Sequence, residues 1–119
     1  MRLPLILVDS TGWVEVYDSA EDLVRDVEHI DVINGEYVVY DAEGRLLTLQ
    51  VKYVSRRLCF WKVSIPVIEL VEAEQVPTHH DDLKHALLRF LRAFGCVAAV
   101  SEHWSLSDLI SRVVQATRR

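Results

Sequence analysis

With 119 residues the chain is long enough for one domain and one buried core, residues 1–119. Half of its residues are hydrophobic, which excludes a disordered chain. The longest apolar run, residues 3–8, is broken by Pro4 and too short to cross a bilayer, and a formal net charge of −5 argues against phosphate backbones as ligands.

In chain order, residues 3–8 and 13–17 read as two strands joined by Asp9-Ser10-Thr11-Gly12, an Asp-x-x-Gly spacing that suits a tight hairpin turn. Ser19 then opens a helix, its hydroxyl placed to accept from the backbone N–H three residues on. Ala20, Leu23, Val24 and Val27 recur at helical spacing and form one apolar stripe, which predicts a helix running to about His29. Asn34-Gly35 signals a turn before the next strand.

Residues 36–71 form the centre of the pattern, a meander of three strands over 36–41, 45–53 and 58–71. Asp41-Ala42-Glu43-Gly44 repeats the Asp-x-x-Gly turn. Leu47, Leu49, Val51 and Tyr53 alternate with polar residues; so do Cys59, Trp61, Val63 and Ile65 further on. This alternation predicts one buried face, with Trp61 in the core and Arg56-Arg57 in the connecting turn. Pro66 cannot donate to a ladder and marks a bulge, a bend or an edge.

Thr78 is the expected cap of a second helix, with Asp81 three residues later. Leu83, Leu87, Phe90, Leu91 and Phe94 line its apolar face, and Gly95 is placed to end it. Ser105 and Asp108 repeat the capping spacing before a last helix lined by Leu106, Leu109, Ile110, Val113 and Val114, with a basic tail from Gln115. The predicted fold is therefore α+β: an antiparallel sheet of about five strands in the order ββαβββαα, with helices packed mainly on one face.

Sites of chemistry are weakly signalled. His79, His80 and His85, with Asp81 and Asp82, invite a metal or a small enzyme, but no H-E-x-x-H or Cys/His spacing is present. The acids in that stretch are equally explained as complements to the positive end of a helix dipole. Cys59, Cys96 and His103 carry no nucleophile signature, and the glycines form no phosphate loop. The expectation is a protein that is not an enzyme, with no catalytic residue, no metal and no cofactor. Two cysteines outside any framework fit a reducing cytoplasm.

The charge distribution is more informative. Between Asp9 and Glu43 lie eleven acids and a single base, Arg25, whereas the remainder is basic. Such a field steers encounter with a positive partner. The candidate partner-binding residues are Asp18, Glu21, Asp22, Asp26, Glu28 and Asp31, with Trp13 and Tyr17 as aromatic anchors of the kind enriched at binding hot spots.

The block Gly35-Glu36-Tyr37-Val38-Val39-Tyr40-Asp41-Ala42-Glu43-Gly44-Arg45-Leu46-Leu47 resembles a hairpin of small bacterial proteins from toxin–immunity loci. Size, acidity and α+β make-up are similar to those of immunity proteins of interbacterial polymorphic-toxin systems. That resemblance implies a cytoplasmic protein that binds and blocks one cognate toxin with a basic surface, with no nucleic-acid or membrane partner. It assigns no binding residues. The alternatives are a small-ligand-binding or accessory domain, an enzyme using the His79–His85 region, and a homodimer with no other partner.

Overall fold

The computed structural model describes residues 1–72, 75–94 and 103–117. The elements are β1 (Leu5–Asp9), β2 (Val14–Tyr17), α1 (Ala20–Asp26), α2 (His29–Ile33), β3 (Tyr37–Tyr40), β4 (Leu46–Leu58), β5 (Trp61–Glu72), α3 (His80–Phe94) and α4 (Leu106–Thr117). The strands form an open antiparallel sheet in the order β2-β1-β3-β4-β5, giving an α+β fold. Among the described residues no helix is long and apolar enough to cross a membrane.

Both Asp-x-x-Gly turns close as their spacing predicts, and by the same chemistry. Gly12 N–H donates to the Asp9 carbonyl at 3.1 Å and Gly44 N–H to that of Asp41 at 3.2 Å. In each turn the Asp Oδ1 accepts from the backbone N–H groups two and four residues ahead: Thr11 and Trp13 for Asp9, Glu43 and Arg45 for Asp41. A carboxylate that satisfies its own turn in this way disfavours competing helix or strand at that point.

Alternation along the strands sends side chains into two separate cores. Ile6, Val8, Val14 and Tyr40 meet α3 and α4 through Leu83, Leu87, Phe90, Leu91, Leu109 and Val113. Leu5, Leu7, Val39 and Leu47 point the other way and are covered by Leu23 and Val27 of the α1 segment. The two long helices thus share one face, as the segregated packing requires, while the short α1 and α2 cap the opposite one.

Four local expectations change. First, the acidic helix is broken: Val27 and Glu28 are extended, and α2 restarts at His29. A helix continued to His29 would carry Glu28 in its last turn, at the negative end of the dipole, which is unfavourable. The break buries Val27 in the core and moves Glu28 and Asp31 to the start of a new helix. Asn34-Gly35 then closes α2, with Gly35 N–H bonded to the Val32 carbonyl and Glu36 N–H to that of Asp31.

Second, Arg56 and Arg57 lie inside β4, and the turn is Cys59-Phe60, with Leu58 paired to Trp61. Cys59 is exposed in that turn at φ 53°, not buried in a strand. Third, α3 begins at His80, two residues beyond Thr78. Fourth, α4 continues to Thr117, past the expected start of the tail. Ser19 and Ser105 do cap α1 and α4, accepting from Asp22 and Asp108 N–H at 3.1 Å. Gly95, Cys96 and the last two residues of the basic tail lie outside the described residues.

The largest surprise is the length of the β4–β5 hairpin. Among the described residues β4 pairs with β3 only at Leu46 and Leu47, yet its ladder with β5 runs from Leu47↔Glu72 to Leu58↔Trp61. Leu49, Ile68 and Leu70 at its base still pack beneath α1 and α2, and beyond Val51 the hairpin stands out as a two-stranded arm of about 25 Å. The molecule measures 61 × 31 × 22 Å with a radius of gyration of 16.3 Å, against about 13.5 Å for a compact chain of this length. Pro66 lies on β5, the edge strand of the sheet, opposite Tyr53.

Candidate protein interface

The acids of α1 and α2 form one layer over the sheet. Glu21 and Asp22 occupy the first turn of α1, where the dipole favours them, and both reach Arg25 at 3.4 Å. Tyr17, from β2, hydrogen-bonds Asp26; burial, then the charge and hydrogen bond of Asp26, push its phenol pKa well above the ordinary value. Tyr37, from β3, donates to Asp31 Oδ2 at 3.2 Å. Its phenol is also raised, by burial first and then by Asp31. Two tyrosines on two strands therefore anchor two carboxylates of the helical layer, which limits the entropy those groups would lose on binding.

Glu36 stands beside Asp31. The hydrogen bond and charge of Asp31 raise the pKa of Glu36, so Glu36 holds its proton to higher pH than an isolated carboxyl would. Amid these acids α2 exposes two large apolar side chains, Ile30 at 59% and Ile33 at 58%. Asp18, Glu21, Asp22, Asp26 and Glu28 are exposed, and Asp31 is half-buried.

Trp13 does not join this layer. It stacks edge-on against Phe90 and Phe94 of α3, with centroids 5.1 and 5.3 Å away, and its Nε1 donates to Glu15 Oε1 at 2.8 Å. The sheet separates it from α1, so its exposed edge belongs to the opposite face. Tyr17 is on the acidic side, with its ring packed against the core and its hydroxyl on Asp26.

The histidines do not converge. His79 Nδ1 lies 3.2 Å from the Thr78 hydroxyl and His80 Nδ1 lies 3.5 Å from Asp81 Oδ1. His85 instead lines an open groove of about 830 Å³ with Tyr40, Asp82, Arg89 and Arg92. Among the described residues no group of three or more His, Cys, Asp or Glu side chains could hold a metal ion. Ser101 and Glu102, next to His103, lie outside the described residues.

The arm is the surface that the pattern did not reveal. Partners across the ladder have opposite parity, so Trp61, Val63, Ile65, Val67 and Val71 share one face with Val54, Arg56 and Lys52. That face is bare: Trp61 is 69% exposed, and Phe60 at the tip is 96% exposed. The alternation was the signal for a shared face, and nothing in it told whether a second layer would cover that face.

Comparison with protein-family models, with curated proteins and with solved structures gives no match for this chain.

Proposed function

We propose that this chain is an immunity-type binding protein, which neutralises a cognate toxin by laying the acidic outer surface of α1 and α2 over a basic active-site cleft. One observation carries the reading. Seven carboxylates lie between Asp18 and Glu36, four of them on α1 and α2 and three in the segments that flank those helices, and Arg25 is the only Lys or Arg in that stretch. Such a concentration of like charge costs self-repulsion, which a positive partner relieves on contact. The toxin class this suits is one whose substrate is anionic, because a cleft built for phosphate accepts carboxylates in the same place.

In this reading Asp22, Asp26, Glu28 and Asp31 supply the field. Tyr17 and Tyr37 position two of these acids from the sheet beneath. Electrostatics of this kind act mainly on the rate of encounter and its salt dependence. The test is binding to the protein encoded in the adjacent reading frame, comparing wild type with Asp22→Lys/Asp26→Lys/Glu28→Lys. The expected result is an association rate lower by about tenfold or more at low salt, with a flatter salt dependence. Unchanged rate and affinity would overturn the assignment of this surface.

A further inference from the structure

The β4–β5 arm is a costly feature unless something covers it. A two-stranded ribbon is marginal in water on its own. This one presents a continuous apolar row, Trp61, Val63, Ile65 and Val67, along the full distal half of β5. Lys52 and Arg56 flank the row on the same face, and Arg57 and Lys62 lie on the reverse. Glu69 is the only acid between Thr48 and Val71, and it is bonded to Lys52 at 3.1 Å. The arm is therefore an apolar strip with a basic rim.

The complementary surface is on the same chain. On α2, Ile30 and Ile33 are exposed within a rim made by Glu28, Asp31 and Glu36. The arm cannot reach its own α2, which packs at the base of the hairpin through Val32, on the sheet face opposite the bare row. Pro66, midway along the β5 edge, interrupts any long edge-to-edge ladder, so docking by the face is favoured over strand addition.

We propose that this face of the arm seats on the α2 surface of a second copy, and that two copies exchange arms reciprocally about a two-fold axis. Reciprocity places each basic arm against an acidic base, keeps the two basic tips apart and closes the assembly at two copies. The acidic field and net charge of −5 favour this occupant over a nucleic-acid groove, the other surface a basic ribbon with an aromatic tip would suit. The inference is independent of the toxin reading, although both use the acidic layer; if both are right, toxin and arm compete for it.

The test uses the full chain alone, by sedimentation equilibrium over a wide micromolar range. Wild type is expected to approach twice the chain mass. Trp61→Ser/Val63→Thr, changes on an exposed face, is expected to weaken association by about tenfold or more with an unchanged circular-dichroism spectrum. Charge reversal gives the sharper arm. Lys52→Glu/Arg56→Glu and Glu28→Lys/Glu36→Lys should each be largely monomeric, and their equimolar mixture should recover the dimer, since each variant then offers what the other lacks. A wild type that stays monomeric, association indifferent to Trp61→Ser/Val63→Thr, or a mixture that fails to recover would overturn the proposal. So would a monomer whose arm binds duplex DNA.

Discussion

Gly44 lies directly against the backbone of His80: a Cβ built on Gly44 would stand 2.5 Å from the His80 Cα and 2.7 Å from its nitrogen. The contact is the seam between the β3–β4 turn and the start of α3, and it is tied by His79 N–H donating to the Gly44 carbonyl at 3.0 Å. Gly44 also sits at φ 88°, where an L side chain is strained. Gly35 has φ 68° but open space around it. Gly35→Ala should therefore cost about 1 kcal/mol, from backbone conformation alone. Gly44→Ala should cost clearly more, because backbone cannot move aside as a flexible side chain can. Denaturant midpoints of the two variants, compared with wild type, check the difference.

Asp41 is fully buried, with Oδ1 accepting from Glu43 and Arg45 N–H and Oδ2 accepting from Arg2 N–H and the Arg45 guanidinium. Burial pushes its carboxyl pKa up, but the hydrogen bonds from Arg45, Arg2 and Glu43 outweigh it and hold the group below the ordinary carboxylate range. Its folded pKa is thus lower than its unfolded one. The stabilisation is complete above the unfolded value and is lost as pH falls through the folded value. Asp41→Asn keeps the shape but points an amide N–H₂ at two donors, and should cost about 3 kcal/mol at neutral pH. Acid denaturation profiles of the two proteins should converge at low pH.

Glu36 shows the opposite sign. Its pKa is raised beside Asp31, so the folded state holds the proton to higher pH than the unfolded chain does. The resulting destabilisation appears as pH rises from the unfolded value through the folded one, and is fully present above it. Glu36→Gln should be more stable than wild type at neutral pH, and the gap should shrink on acidification. Side-chain carboxyl chemical shifts followed by NMR would report the raised titration directly.

Ser105→Ala should destabilise the protein by about 1 kcal/mol, since α4 loses the hydroxyl that accepts from Asp108 N–H. Because Leu109 and Val113 of α4 are fully buried, fraying its first turn should register in global thermal unfolding.

The features that could be read without coordinates are those whose chemistry is closed within a few residues. The Asp9 and Asp41 turns satisfy themselves, the Ser19 and Ser105 hydroxyls reach N–H groups three residues on, and Leu83 to Leu91 repeat at helical spacing. The turn at Cys59-Phe60 has no Gly, Asn or Pro to announce it, and it is set by the register of a ladder that begins at Leu47. The break at Val27 goes with a core position, since Val27 packs in one cluster with Leu5, Leu7 and Val39 of distant strands. Of the candidate interface, the acids from Asp18 to Asp31 were visible as charge; the tyrosine anchors and the separation of Trp13 were not, because they join different elements.

Local sequence determined which residues of this chain share a face, where its helices are capped and where its acid is concentrated. Tertiary structure alone decided which faces are covered. Period-2 alternation puts Trp61, Val63 and Ile65 on one side of a strand whether or not another layer lies over them, and coverage depends on where α3 and α4 dock, many residues away. They dock over β1 and β2, so the arm is left bare.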